Sequence, residues 1–182
     1  MARKYFLSLF TLTLLLLSSS ALGQDGDYPR VEAFGGFSWI EIDGEGGEDE
    51  RFNGWQASIS GNFHEHIGIV FDAGGRYKSF LDITTQLYEF LAGPRFTMRI
   101  ADGALFVHAL AGLKYGRISG LGDTLSDTAF AIGFGGGIDI SVGDWGAIRM
   151  LQVDYIGNRV SGLDEWDWNL RTGIGFVFKF GY

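Results

Sequence analysis

The chain has 182 residues, with 14 Lys and Arg against 22 Asp and Glu, which gives a formal net charge of −8. Such an acidic chain is a poor candidate for binding nucleic acid, because phosphate backbones select basic surfaces. It contains no cysteine, which excludes disulfides, thiolate metal sites and a lipid anchor attached through cysteine. Aromatic residues make up 15 %, and 29 glycines accompany only 2 prolines, a composition that favours strands over helices.

Residues 1–23 have the three parts of a secretory signal peptide. Arg3 and Lys4 precede an apolar run from Tyr5 to Leu17, and the small-residue segment SSSALG, with its cleavage site after Gly23, follows at once. The run is short for a membrane span, so we predict a cleaved signal peptide rather than a transmembrane anchor. Residues 24–182 then form one domain with 12 basic and 22 acidic residues, a net charge of about −10.

Eight successive segments of the remaining chain carry apolar residues at every second position. This period predicts β-strands, because side chains alternate between the two faces of a strand. The predicted strands span residues 31–42, 52–63, 67–78, 84–100, 104–119, 127–142, 147–155 and 166–182. Long connections alternate with short turns between them, which indicates an antiparallel up-and-down arrangement. Pro94 has no N–H for a strand ladder, so we predict either a β-bulge at Pro94 or a register displaced by one residue.

The last predicted strand shows which face of the sheet is apolar. One face carries Trp166, Trp168, Leu170, Ile174, Phe176, Phe178, Phe180 and Tyr182. A soluble sheet would cover this aromatic row with a second layer, whereas a membrane barrel points it towards lipid. No apolar run in residues 24–182 is long enough for a transmembrane helix, so a membrane location requires strands. We therefore predict an all-β fold, a single eight-stranded antiparallel up-and-down transmembrane β-barrel.

Charged side chains on the opposite face of the strands are predicted to fill the lumen. An eight-stranded barrel is just wide enough for side chains to fill it, and isolated buried charges would be unstable without partners. We predict a structural network of lumen charges formed by Asp72, Arg76, Glu89, Arg95, Arg99, Lys114, Asp139, Asp154, Arg171 and Lys179. Aromatic girdles are predicted near the strand ends, at Trp39, Trp55, Tyr77, Tyr88, Tyr115, Trp145, Tyr155, Trp166 and Tyr182.

The eight alternating segments and the aromatic C-terminal pattern at Phe176, Phe178, Phe180 and Tyr182 resemble the small bacterial outer-membrane β-barrel family, the OmpA-like or porin-like barrels. The resemblance covers essentially all of residues 24–182, and the C-terminal pattern corresponds to the family's assembly signature. Because nothing follows Tyr182, we expect the peptidoglycan-binding domain of full OmpA-type proteins to be absent. The resemblance implies a Gram-negative outer-membrane location, contact with outer-membrane lipid and lipopolysaccharide, the barrel-assembly machinery as a partner during biogenesis, and a monomer.

Few residues suggest a catalytic or metal-binding site. The acidic segment 43–51 could attract a divalent cation, but it lacks the spacing of a calcium loop, so a solvated loop is favoured. His64 and His66 flank a turn and could hold a metal only weakly. His108 is predicted to be a hydrogen-bonded histidine inside the lumen. We predict no catalytic residue, no cofactor and no metal site.

The function predicted from these features is a structural or surface-interaction role in the outer membrane. A small porin with a narrow conduction path is the first alternative. A lipid-A-modifying barrel enzyme is a second one, although lipid A deacylases carry a His-x-Ser pair on a lipid-facing strand and this chain has none. A soluble lipocalin-like binding protein would reverse the facing of every strand.

Overall fold

The computed structural model describes residues 28–42, 50–80, 83–120, 123–160 and 166–182. Its strands are β1 (Val31–Ile42), β2 (Glu50–Asn62), β3 (Ile67–Phe80), β4 (Ile83–Ile100), β5 (Gly103–Gly120), β6 (Asp123–Ser141), β7 (Gly146–Val160) and β8 (Asp167–Phe180). Each pairs antiparallel with its sequence neighbours, and β8 pairs with β1, so the sheet is a closed barrel. The predicted single eight-stranded up-and-down barrel is confirmed. The proposed signal peptide, residues 1–23, lies outside the described residues and stays a prediction.

Both ends of the described chain lie at the same rim of the barrel. The Arg30 amide donates to the Gly181 carbonyl at 2.7 Å, and the Asn62 amide donates to the Arg30 carbonyl at 2.7 Å. The short turns at residues 63–66, 101–102 and 142–145 close the same rim. We call this rim the turn end, and the opposite rim, where the longer connections begin, the loop end.

Several strands extend further towards the loop end than the sequence predicted. The strand β6 begins at Asp123 rather than residue 127, whereas β4 and β5 exceed their predicted bounds by no more than one residue at each end. The prediction ended strand seven at Tyr155, but β7 continues to Val160. Glu50 and Arg51, assigned to the acidic loop, belong to β2, while residues 43–49 lie outside the described residues. The physical reason is that neighbouring backbones continue to pair beyond the region where side chains alternate.

The facing of the strands agrees with the prediction. Along β8, Phe176 and Phe178 are 59 % and 46 % exposed, whereas Arg171 is fully buried. Large apolar side chains cover the outside all around the barrel, and the inside holds the polar side chains together with an apolar cluster that includes Val70, Leu110 and Ile156. The lipocalin-like alternative required the reverse and is wrong. Among the described residues, no helix has the length and apolar character needed to cross a bilayer.

Pro94 does not interrupt the sheet in the way predicted. It faces outward opposite Ile69, and the pairs on either side, Ala92 with Ala111 and Arg95 with His108, keep the same register. A bulge at Pro94 and a displaced register are therefore both wrong. Its neighbour Gly93 explains the close fit, since a Cβ at that position would lie 1.9 Å from the Ala109 carbonyl oxygen.

The irregularity lies in β7 instead. In the β6–β7 ladder the register shifts by one residue between Ile138 and Asp139 of β6. In the β7–β8 ladder it shifts between Arg149 and Gln152 of β7. One extra residue in a strand places two consecutive side chains on the same face. Met150 and Leu151 are accordingly 53 % and 42 % exposed, while Arg149 and Gln152 both face inward. Strict alternation from the inward-facing Gln152 would place Met150 on the inner face, and the bulge is the reason that it faces outward.

Candidate functional site

The lumen is closed near the turn end by ion pairs around two arginines. Arg149 holds Asp139 in a bidentate pair, with Nε–Oδ1 at 2.8 Å and Nη2–Oδ2 at 2.9 Å. Arg95 lies 3.1 Å from Glu32 and 3.6 Å from Asp139 through its two terminal nitrogens. Arg99, nearer the rim, approaches Glu32 at 3.3 Å. We call these five residues the turn-end cluster.

Two aromatic rings cover the guanidinium groups of this cluster. The Cζ atom of Arg95 lies 4.2 Å from the centre of the Phe106 ring, and that of Arg149 lies 4.2 Å from the same ring. Arg149 also lies 4.3 Å from the centre of the Phe34 ring. These distances fit cation–π contacts, which gain strength where water is excluded. Phe34 and Phe106 are 5 % and 3 % exposed, so the rings fill the lumen at this level.

A second set of ion pairs, the central cluster, is organised by Arg171. Its Nη2 lies 2.6 Å from Asp154 Oδ2, and its Nη1 lies 2.6 Å from Asp72 Oδ1 and 3.2 Å from Glu89 Oε2. Arg76 approaches the same Glu89 oxygen at 2.9 Å. All five side chains are at most 4 % exposed. A guanidinium presents several donors in a fixed plane, which suits it to hold three carboxylates from different strands.

Glutamine and histidine side chains extend the two clusters, and Gln152 joins them into one network. Gln152 donates to Asp154 at 2.8 Å and accepts from Arg149 at 2.8 Å. His108 Nε2 lies 2.7 Å from Asp154 Oδ1, and Gln56 donates to Asp72 at 2.7 Å. Side chains from opposite walls therefore meet on the barrel axis. The arrangement occupies the path along which an ion would have to pass.

The structure places the predicted lumen charges at three levels. Asp72, Arg76, Glu89, Asp154 and Arg171 form the central cluster, and Arg95, Arg99 and Asp139 belong to the turn-end cluster. The two lysines lie apart from both clusters. Lys114 donates to Asn158 at 3.1 Å towards the loop end, and Lys179 donates to Ser141 at 2.9 Å at the turn end.

Two charged residues of the network were missed by the sequence reading. Glu32 was on the correct face of β1 but was not included. Arg149 was missed because strict alternation along β7 would point it towards lipid. The signal for it was present: the adjacent apolar residues Met150 and Leu151, between Arg149 and Gln152, break the alternation in the way a bulge does.

The remaining predicted positions lie at the surface. Of the predicted assembly signature, Phe176, Phe178 and Phe180 are exposed on the outer face, and Tyr182 is exposed at the turn end. At the turn end, a polar cavity of about 400 Å³ is lined in part by Glu32, Arg99, Asp139, Lys179 and Tyr182. His64 and His66 form the turn before β3, where His66 Nδ1 lies 3.0 Å from the Thr97 carbonyl oxygen. In the described part of the chain, no group of three or more His, Asp or Glu side chains is arranged to hold a metal ion.

Comparison with known proteins finds solved structures with a similar fold. No protein-family model matches the chain, and no curated protein matches it by sequence. Ail, the attachment invasion locus protein of Yersinia pestis, is similar at 16 % identity and a TM-score of 0.59, over 84 % of this chain and 98 % of that one. Neisserial surface protein A is similar at 12 % identity and a TM-score of 0.66, over 85 % of this chain and 100 % of that one. The outer membrane protein OprG from Pseudomonas aeruginosa is similar at 12 % identity and a TM-score of 0.54, over 85 % and 97 %.

At these identities the similarity concerns the fold. The chain has the fold of the small outer-membrane β-barrels, and the resemblance read from its sequence is confirmed at that level.

The inward placement of Arg149 predicts the direction in which one substitution changes the free energy of unfolding. Arg149→Met should lower the free energy of unfolding by about 3–5 kcal/mol, because it leaves Asp139 buried without its main partner. If Arg149 faced lipid, as strict alternation implies, the same change would leave stability unchanged or raise it. Urea unfolding of the protein folded in lipid vesicles, followed by tryptophan fluorescence, measures the difference.

The matched control for this experiment is an exposed arginine. Arg51 pairs with Glu41 at 2.5 Å on the outer surface, and its side chain is 61 % exposed. Arg51→Met should therefore change stability little, since exposed ion pairs contribute little. Equal effects of the two substitutions would contradict the inward placement of Arg149.

Proposed function

We propose that this chain is an integral outer-membrane barrel protein with a structural and surface-interaction role, and that its lumen is closed by the charged network. The observation that carries the proposal is the reversed facing of the barrel. Large apolar side chains cover the outside, and desolvated charges fill the inside. In water this exterior would be a large exposed apolar surface, which soluble monomers rarely have.

Barrel closure supports a bilayer location. In hydrocarbon an unpaired backbone N–H or C=O group is strongly unfavourable, so a sheet that spans a membrane must have no open edge. The β1–β8 ladder runs from Val31 with Phe180 to Glu41 with Leu170 and leaves no edge over that length. The termini would then lie on the periplasmic side together with the turn end, and the loop end would face outward.

The geometry of the lumen favours a closed barrel over a small porin. A conducting path would have to pass Arg171, whose guanidinium reaches carboxylates of β3, β4 and β7. It would then have to pass the Arg95 and Arg149 pairs and the Phe106 ring between them. Moving these side chains aside would separate desolvated ion pairs, which is strongly unfavourable.

The position of His108 argues against a lipid-modifying enzyme. Lipid substrates would reach this barrel from outside, but His108 is 7 % exposed and turned into the lumen. Its Nε2 is engaged by Asp154, which Arg171 also holds. A histidine held in this way contributes to the ion-pair network of the lumen, and this supports the assignment as a non-enzymatic protein.

The surface-interaction part of the proposal concerns the loop end. Ail has been crystallised with the heparin analogue sucrose octasulfate, an anionic ligand. In this chain, residues 43–51 contain five acidic residues and one arginine, so a strongly anionic partner would be repelled there. We therefore propose that partners of this segment are cationic or are bridged by divalent cations.

The proposed orientation can be tested with single cysteines, since the chain has none of its own. Ser126→Cys is at the loop end of β6 and Ala101→Cys is in a turn at the turn end, and both positions are exposed. In intact Gram-negative cells that express the full chain, a membrane-impermeant maleimide should label Ser126→Cys but not Ala101→Cys. After the outer membrane is permeabilised, both should react. Labelling of Ala101→Cys alone in intact cells would reverse the orientation, and recovery of the protein in the soluble periplasmic fraction would contradict the membrane location.

The closed lumen predicts the outcome of a conductance measurement. The protein folded into a planar lipid bilayer should carry no steady ion current above that of the bare membrane, because the ion pairs occupy the axis. A known porin inserted under the same conditions is the positive control. A stable unitary current that persists at neutral pH would favour the small-porin alternative.

A further inference from the structure

The outer wall of the barrel is not uniform. A groove of about 630 Å³ crosses the outside of β1 to β5, and its lining is almost entirely apolar. We call it the alanine groove, because each of the five strands contributes one alanine to it, namely Ala33, Ala57, Ala73, Ala92 and Ala111. Phe71 and Phe90, 64 % and 59 % exposed, stand beside this row and form its walls.

The groove rises towards the loop end as it passes around the barrel. Ala33 is the third residue of β1 counted from the turn end, whereas Ala111 is the ninth residue of β5 counted from the same end. Ala57 pairs directly with Ala73, and Ala92 with Ala111. At the β1–β2 and β3–β4 ladders the alanines are diagonal neighbours, offset by two residues, so the row steps at these ladders. A linear apolar chain could therefore follow the groove from its upper end at β4 and β5 down to β1.

A polar aromatic cluster lies directly above the upper end of the groove. Tyr88 and Tyr115 are paired across β4 and β5, two and four residues beyond Phe90 and Ala111 on the same outer face. The hydroxyl of Tyr77 donates to that of Tyr88 at 3.2 Å, and the two rings meet edge to face. These hydroxyls lie outside the barrel and point away from the lumen network. They form a polar site where the apolar groove ends.

Trp55 belongs to the same aromatic cluster, and its ring lies over Gly75. Trp55 is opposite Gly75, and a Cβ on Gly75 would lie 2.6 Å from the indole Nε1, so the absence of a side chain leaves the space that the ring occupies. Gly75 is in turn opposite Tyr88. The row from β2 to β5 therefore presents an aromatic surface with hydroxyl and indole donors. Aromatic rings with polar tips are suited to the boundary between lipid tails and headgroups.

A positive charge lies beyond this row on the same face. Arg117 follows Tyr115 by two residues, pairs with Gln86 of β4 in the ladder, and is exposed. The groove, the tyrosine hydroxyls and the guanidinium are thus stacked in this order towards the loop end. Apolar lining followed by polar donors and then by a cation is the order of groups that complements an anionic lipid.

We propose that the alanine groove and the cluster above it form a binding site for one phosphorylated lipid of the outer leaflet, the lipid A part of lipopolysaccharide. One acyl chain lies along the alanines, the tyrosine hydroxyls hydrogen-bond the polar headgroup, and Arg117 binds a phosphate. Arginine suits phosphate because its planar fork can donate two parallel hydrogen bonds. The proposal rests on the proposed membrane location, with the loop end outward.

The site can be tested by native mass spectrometry. The mature chain is folded into phosphatidylcholine vesicles that contain purified lipid A, and is then transferred to a mild detergent. The unmodified protein should retain one lipid A molecule in preference to phosphatidylcholine. Arg117→Gln should weaken lipid A retention roughly tenfold, because it removes a charge-assisted hydrogen bond. Ala73→Phe should reduce it by a similar factor, because the ring fills the groove without adding charge to the lipid face.

Matched controls use the same changes elsewhere on the outer wall. Arg159→Gln replaces another exposed arginine, on β7, and Ala109→Phe enlarges an outward-facing alanine that does not line the groove. Both should retain lipid A as the unmodified protein does. Each variant is first shown to fold in vesicles by a shift in gel mobility on boiling.

Several results would overturn the proposal. Equal retention of phosphatidylcholine and lipid A would show that the site does not recognise the lipid A headgroup. Retention unaffected by Arg117→Gln would show that Arg117 does not bind the phosphate. A mass of two protein chains without lipid, abolished by Ala73→Phe, would assign the groove to a second copy instead. Failure of the unmodified protein to fold in vesicles would contradict the membrane location itself, and the gel distinguishes that outcome from loss of lipid binding by a folded barrel.

Discussion

The structure depends on the closure of one sheet. Every strand of the barrel pairs on both sides, and the ladder between β1 and β8 joins the two ends of the chain. Closure requires alternate side chains to point to two environments only, a lumen and an exterior. Once the exterior is apolar, polar side chains have no place except the lumen, and they must satisfy one another there. The ion-pair network is therefore a consequence of closure and of the apolar exterior.

Much of this could be predicted from the sequence, since period-two alternation determines both strand number and facing. The strand β1 was predicted with its observed bounds, and the inward positions of Asp72 and Arg171 follow from counting alternate residues. Two features required three-dimensional information. Alternation cannot locate a bulge by itself, so Arg149 was left out of the predicted lumen network. Nor does alternation show where pairing ends: at the loop end, β6 begins at Asp123 rather than residue 127, and β7 continues to Val160 rather than residue 155.

The ion-pair partners inside the lumen could not be predicted from the sequence either. Knowing that Arg171, Asp72 and Asp154 face inward does not show that one guanidinium reaches carboxylates on three strands. That depends on the stagger between strands, which is set by all eight registers together. The same holds outside: five alanines on five strands become one groove only because the registers place them in a row. Lumen and exterior thus have separate roles, one closing the barrel and the other meeting the membrane.

The central claim is that this barrel is built for lipid, with its apolar side out and its charges in. The most direct measurement is electrophoresis without boiling, on the mature chain refolded into lipid vesicles, together with far-ultraviolet circular dichroism. We expect a compact band that shifts on boiling and a β-rich spectrum that appears only when lipid is present. A soluble monomer that folds in buffer and ignores vesicles would contradict it, because the aromatic exterior would then have to be covered by protein.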